Sequence, residues 1–251
     1  MRDALAAEWI KLRTLRSTSL LLLSGFAMAV LVGLLFCLLV GPDFRRADPA
    51  DRSGFDPIGL AFTGMQFGQL ALVVVAVLAV GTEYGTGMLR TSLAAVPRRG
   101  RFLAAKLTLL GLVGLGWGLV SGAVAFLCGM SALGAPLSGL PRAEMARAVL
   151  GAGVYAALLA VFAGALTFLV RRSIAALGIL LPLLLLVSGA LAVSARTRPV
   201  SRLLPDRAGL RLMQVHQDAG DLTPAAGGAV LAGWALVAAG AAYVVFRRRE
   251  V

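Results

Sequence analysis

Charge is scarce in this chain. Of its 251 residues, 14% are Asp, Glu, Lys or Arg, against about a quarter in a soluble domain. That scarcity, with 59% apolar residues, excludes an ordinary soluble enzyme and a disordered chain alike. Two cysteines exclude a disulfide scaffold. The one histidine, His216, stands far along the chain from both cysteines, Cys37 and Cys128, so no set of metal ligands gathers. Ser121 and Ser188 each precede a glycine, but no G-x-S-G pattern marks an intramembrane hydrolase. Lysine is rarer still. Lys11 and Lys106 stand alone beside 22 arginines, a bias that GC-rich coding explains and that carries little weight by itself. Neither lysine follows a glycine, so no G-x-x-x-x-G-K-[ST] phosphate loop exists.

What is present is long apolar sequence. A spanning helix needs about 20 mostly apolar residues, and six stretches qualify: 19–40, 58–80, 107–129, 146–170, 174–193 and 225–246. All lack ionisable carboxylates and basic groups, except for Arg147 at the edge of the fourth. Period-two alternation is absent, which argues against a β-barrel. The fold class expected is therefore all-α and integral to a membrane: a six-helix bundle covering 1–251 as one domain. A proton- or sodium-coupled carrier keeps ionisable groups at membrane depth, and none falls inside these spans.

Lysine and arginine concentrate in cytoplasmic loops. With the N-terminus inside, the inner segments hold 14 basic residues against four acidic ones, and the outer segments 10 against eight. Both termini thus read as cytoplasmic, and the net charge of +12 reads as a topology signal rather than as a nucleic-acid surface. The N-terminal region reads as an uncleaved anchor, since Leu39-Val40-Gly41-Pro42 is no A-x-A site. One loop resists the rule. Residues 194–224 carry Arg196, Arg198, Arg202, Arg207 and Arg211 on the outer side. Their leucines at 203, 204, 210 and 212 suggest short amphipathic helices at the outer interface, with a plain polar loop as the alternative.

Residues 1–18 are too polar to span. Leu5, Trp9, Leu12 and Leu15 recur at helical spacing, and Arg2, Glu8, Lys11 and Arg13 line the rest, as in a helix lying on the inner membrane face. Residues 81–106, between the second and third spans, combine bends at Gly81, Gly85 and Gly87 with a short helix from Met88 through Leu89 and Leu93. Pro97 ends that helix, Arg98, Arg99 and Arg101 form a positive cluster, and Lys106 opens the next span. Periodicity alone leaves open whether this is a docking element or a positive-inside loop with a frayed helix.

Within the spans, Gly64 and Gly68, and likewise Gly114, Gly118 and Gly122, repeat every four residues, a spacing that lets helix backbones approach. Whether the contact is within one chain or between two stays open. Gln66 and Gln69 are expected to find hydrogen-bond partners in the bundle, with substrate contact the alternative.

The 81–106 segment resembles the coupling region of ABC transporter permeases of the type-2 exporter class. Their pattern is a Glu closing the second span, a Gly, a short Leu-bearing helix, a Pro, one or more Arg, and a Lys opening the third span. Here those are Glu83, Gly87, Leu93, Pro97, Arg98, Arg99 and Lys106. The run EWIKLRTLRSTSL is similar to the interfacial helix of bacterial members, with Glu8, Trp9, Lys11, Arg13 and Arg16 in matching places. The resemblance implies a bacterial inner-membrane permease that pairs with a second permease chain. It implies docking on a separate cytoplasmic ATPase that binds ATP and Mg, with no cofactor held by this chain, and export as the direction of transport. The docking residues implied are Glu83, Gly87, Met88, Leu89, Leu93, Pro97, Arg98, Arg99 and Arg101. A non-transporting membrane anchor or assembly subunit is the alternative. No side chain selects a substrate.

Overall fold

Hydrocarbon offers a backbone no hydrogen-bond partner but itself, and among the described residues the chain forms helices and no strands. The computed structural model describes residues 2–46, 56–85, 87–88, 99–134, 142–194, 196–215 and 220–248. Helix α1 is Arg2–Thr14 and α2 is Arg16–Arg46. A short α3, Pro57–Ala61, precedes α4, Met65–Gly85. Then come α5, Arg99–Leu133, and α6, Arg142–Val170. The fifth span, Ser173–Val193, is built from α7 (Ser173–Pro182), a π turn (Leu183–Val187) and α8 (Ser188–Val193). Two short helices, α9 (Arg198–Arg202) and α10 (Pro205–Leu210), lead to the last span, α11 (Pro224–Arg248).

Among the described residues, five of these helices and the composite fifth span are long and apolar enough to cross a membrane. They overrun the apolar stretches because a helix continues until its backbone finds water or a breaker. Helix α2 carries Arg16 at its first residue and Arg45 and Arg46 at its last, and at 31 residues it outreaches the hydrocarbon. The second apolar stretch divides instead. Asp56 caps α3 by accepting the Gly59 N–H at 2.8 Å, and a turn at 62–64 separates α3 from α4. Pro182 lacks the N–H that an α ladder needs. The fifth span stays continuous by widening into the π turn that follows it.

Helix α6 is the centre, with 61% of its most apolar stretch buried, and it packs on α4, α5 and α11. The α2, α7–α8 and α11 spans are peripheral, with 28%, 22% and 28% buried. Their outward faces, such as Leu20, Leu31 and Leu39 on α2 and Ile174, Leu186 and Val193 on the fifth span, are apolar and exposed.

The spaced glycines sit where backbones touch within the chain. A Cβ on Gly114 would stand 2.6 Å from the Ala156 carbonyl oxygen, and one on Gly122 2.7 Å from the Ala152 methyl. Gly118 lies between them against Ala152, Gly153 and Ala156, so α5 and α6 meet along one glycine-alanine seam. Gly64, in the turn before α4, and Gly68, within α4, do the same against Gly25, Ala29 and Gly33 of α2. Gly81, expected to bend the chain, is helical and pressed on Ser173.

The described part of the 194–224 segment forms the short helices α9 and α10, and α10 packs into the bundle. Asp206, Ala208, Gly209 and Met213 are buried, and the Gly209 backbone rests on the ring of Tyr155 in α6. Ala208 and Gly209 have too little side chain to hold α10 away from α6 and α11. Arg147 completes the seal by donating to the Leu212 and Gln214 carbonyls at 3.3 and 2.8 Å. His216 lies outside the described residues.

Gly118→Leu forces apart the α5–α6 seam and is expected to lower stability by about 1–3 kcal/mol. Gly116→Leu, on the same helix with open space beside it, serves as the control. Thermal unfolding in detergent checks the pair, and equal midpoints would contradict the seam.

Candidate functional site

Three helices bring four charges to one end of the bundle. Glu8 and Lys11 come from α1, Glu83 from the last turns of α4, and Lys106 from the second turn of α5. The Lys106 Nζ lies 2.8 Å from Glu8 Oε2 and 2.6 Å from Glu83 Oε1. The Lys11 Nζ lies 2.7 Å from Glu8 Oε1 and 2.9 Å from Glu83 Oε1. Each ammonium thus touches both carboxylates, and the quartet is neutral. Glu8, Glu83 and Lys106 are buried, while Lys11 keeps a third of its side chain in contact with solvent.

Burying any one of these charges alone costs several kcal/mol, so each depends on the others. Burial pushes the Glu8 carboxyl up, but the charge and hydrogen bond of Lys106, joined by those of Lys11, outweigh it and hold the group below its ordinary 4.5. Burial likewise pulls Lys11 down, and its hydrogen bonds to Glu8 and Glu83 reverse the sign and raise it above 10.5. An ammonium with three tetrahedral donors suits two carboxylates on different helices better than a planar guanidinium does. Both lysines of the chain are here.

An aromatic cluster extends the block. Phe102 of α5, Phe168 of α6 and Phe246 of α11 pack with ring centroids 5.5–6.5 Å apart. Tyr84, next to Glu83, meets Phe168 edge-on at 6.1 Å. Lys106 stands 5.7 Å from the Phe102 ring centre, joining quartet to cluster. Arg171 makes the tight turn after α6 at φ 62°, and its guanidinium lies 5.9 Å from the Tyr84 ring. Arg99 donates to the Phe246 carbonyl at 3.4 Å and so ties the start of α5 to the end of α11.

The sequence-selected residues divide. Glu83 and Lys11 are in the quartet. Gly87 adopts φ 72°, a left-handed conformation that glycine takes without strain, directly after α4. Met88 is exposed and lines a pocket of about 420 Å³ between α1, α2 and α4 whose wall includes the quartet. Arg99 and Arg101, expected in a loop, occupy the first turn of α5, with Arg101 exposed. Leu89, Leu93, Pro97 and Arg98 lie outside the described residues. Trp9, Arg13 and Arg16 are exposed, and Trp9 and Arg13 line an apolar groove of about 890 Å³ beside α2 and α5.

Helix α1 turns one acidic and one apolar residue toward the bundle. Glu8 and Leu12 are buried, while Trp9, Ile10 and Leu15 point outward. The quartet decides this rotation: a carboxylate with two buried partners packs inward, and the displaced apolar groups have lipid to meet. In sequence Lys106 is the flank of a span and Glu8 part of a polar face. The signal that would have joined them was the chain's two lysines.

A second polar group lies deeper. The buried Tyr155 hydroxyl donates to Gln69 Oε1, and Gln69 Nε2 donates to the Gln66 carbonyl at 2.9 Å, so α4 and α6 satisfy each other's amide and phenol. Asp206 is buried near Tyr155, with Ser188 and Arg207 beside its carboxylate. No ionisable group was expected within the bundle. Asp206 escaped that reading because it belongs to no apolar stretch and enters on α10.

In comparisons with known proteins, the family model described as ABC-2 family transporter protein matches residues 4–188, from α1 to the end of the π turn and the first residue of α8. No curated protein matches the chain.

Removing one member of the quartet leaves a net buried charge. Glu83→Gln or Lys106→Met is expected to cost about 3–5 kcal/mol, and the double variant distinctly less than the sum. Denaturation in detergent measures this, and strict additivity would contradict the pairing. A second expectation concerns pH. With its folded value depressed, Glu8 contributes stability above 4.5 that is lost as pH falls through the folded value. With its folded value raised, Lys11 contributes below 10.5 and loses its share as pH rises through the folded value. The gap in thermal midpoint between the native chain and Glu8→Gln should therefore close on acidification below 4.5. A gap unchanged across that range would contradict the assignment.

Proposed function

The chain belongs to the ABC-2 transporter family, and from that premise we propose that it is the permease subunit of an exporter driven by a separate cytoplasmic ATPase. As a member of that family it is a multi-pass membrane component of an ABC transporter and not itself the catalyst. The ATPase docks on the connection 86–98, with Leu93 and its neighbours as the contact and Arg98 and Arg101 as flanking charge. ATP and Mg belong to that partner. The docked end is cytoplasmic, in a bacterial inner membrane, in keeping with the bias of basic residues toward it. A second six-span chain completes the transport path, and the exposed apolar faces of α2 and the fifth span offer it surface.

One observation carries this reading. The 86–98 connection leaves α4 just after Glu83 and enters α5 just before Lys106, so both of its ends are fixed to one buried ion quartet. A force on the connection therefore acts on α1, α4 and α5 together. Arg99 and the aromatic cluster pass it to α6 and α11.

Co-purification from membranes with candidate ATPase subunits, followed by ATP turnover in lipid, tests the proposal. The native chain should retain one ATPase whose turnover depends on it. Leu93→Asp should weaken that binding by about 2 kcal/mol or more, because a charge enters an apolar contact. Equal recovery with Leu93→Asp would refute the docking surface. Failure of every ATPase to bind would move the chain to a non-transporting anchor.

A further inference from the structure

At the end of the bundle remote from the quartet, Arg198, Arg202, Arg207 and Arg211 surround a cavity of about 290 Å³ together with Asp221, Ser201 and Ala192. We propose that this cavity is a binding site for a phosphate-bearing anion.

The charge balance is the first argument. Four guanidiniums face one carboxylate in the lining, an excess of three positive charges. Counting Asp206, buried behind Arg207, still leaves two. Such an excess disfavours an empty, partly buried cavity and suits a multiply charged guest.

The second argument is which arginines are occupied. Asp221 forms ion pairs with Arg202, whose Nε lies 3.3 Å from Oδ1, and with Arg211 Nη1. Arg202 also holds the Gly220 carbonyl, and Arg211 reaches the Gln214 side chain at 2.7 Å. These two are therefore fixed in place by the chain's own carboxylate. Arg207 is in no ion pair among the described residues, and its Nε, like that of Arg202, is shielded from solvent with no hydrogen-bond partner among them. Arg198 stands exposed at the rim. A tetrahedral oxyanion presents acceptors in several directions at once, which matches guanidiniums arrayed around a cavity. A carboxylate is satisfied by one planar fork.

The third argument is where the arginines fall. They occupy the loop that breaks the charge rule of the rest of the chain. Pairing with Asp221 accounts for part of the charge, and a bound anion accounts for the remainder. The phosphate has two possible sources. Ala192 at the wall belongs to the fifth span, whose Leu186 and Val193 are exposed, so a lipid headgroup has a path along that helix. A soluble phosphate ester has a path from water past Arg198.

Titration calorimetry on the purified full chain in detergent tests the site with three probes: dioctanoyl-phosphatidylglycerol, glycerol phosphate and uncharged dioctanoylglycerol. Phosphatidylglycerol should bind, and Arg198→Gln and Arg207→Gln should each weaken it about tenfold, the loss of one charge-assisted hydrogen bond. Arg248→Gln, at the opposite end, should leave it unchanged. Glycerol phosphate binding with the same dependence on Arg198 supports the site and identifies a soluble source. Phosphatidylglycerol binding without glycerol phosphate binding supports it and identifies a headgroup. Arg198→Gln keeps the test decisive if Arg207→Gln disturbs folding around Asp206. Equal binding of dioctanoylglycerol, no binding of either phosphate probe, or binding indifferent to Arg198→Gln would overturn the proposal. The site needs neither an ATPase nor a direction of transport, so its failure and the failure of the exporter reading are separate results.

Discussion

Two carboxylates and two ammonium groups, each touching both of its opposites, hold the ends of α1, α4 and α5 in one place. Three of the four are buried, so none is tolerable without the others. That mutual dependence fixes the rotation of α1, which buries Glu8 and leaves Trp9 outward. It also fixes the spacing of the points where the 86–98 connection leaves and re-enters the bundle. A surface helix held only by leucines would slide in the interface; one held by alternating ion pairs has a single position.

The rest of the bundle is joined along close helix–helix seams. The α5–α6 and α2–α4 seams are close contacts at Gly114, Gly118, Gly122, Gly64 and Gly68, made chiefly with backbone and alanine methyl groups. Tyr155 and Gln69 bridge α4 and α6 at mid-bundle. At the far end α10 closes over Tyr155, and the arginine cavity lies beside it. One end is thus arranged around a neutral set of ion pairs and the other around an excess of positive charge. The proposed permease would have use for both: a stiff grip for its ATPase and a polar terminus for its path.

Much of this was legible in residues alone, for physical reasons. Hydrocarbon excludes charge, so stretches such as 146–170 announce spans directly, and α6 follows one closely. Glu83 was legible as a carboxylate where a span ends, and the glycine spacing as close packing. The quartet was not, because Glu8 and Lys106 are far apart in sequence, and Glu8 sits on what a helical wheel draws as the polar face of α1. Nor was the inward course of α10. Pro205-Asp206-Arg207 reads as polar loop, and only the small pair Ala208-Gly209 hints at a close approach. Helix ends shifted outward, as at Arg99 and Arg46, because helices run past the hydrocarbon until they meet a breaker or water.

The central claim is that α1, α4 and α5 form one rigid block through which a docked ATPase acts. Spin labels at Ala7, Gly85 and Arg101, all exposed on that block, measure it directly in the complex by pulsed dipolar spectroscopy with and without ATP. The account predicts one unchanged distance for each pair in both states, while distances from Arg101 to its counterpart in a second chain change. A new distance between Ala7 and Gly85 on adding ATP would mean that the quartet opens in the cycle, and would contradict the account.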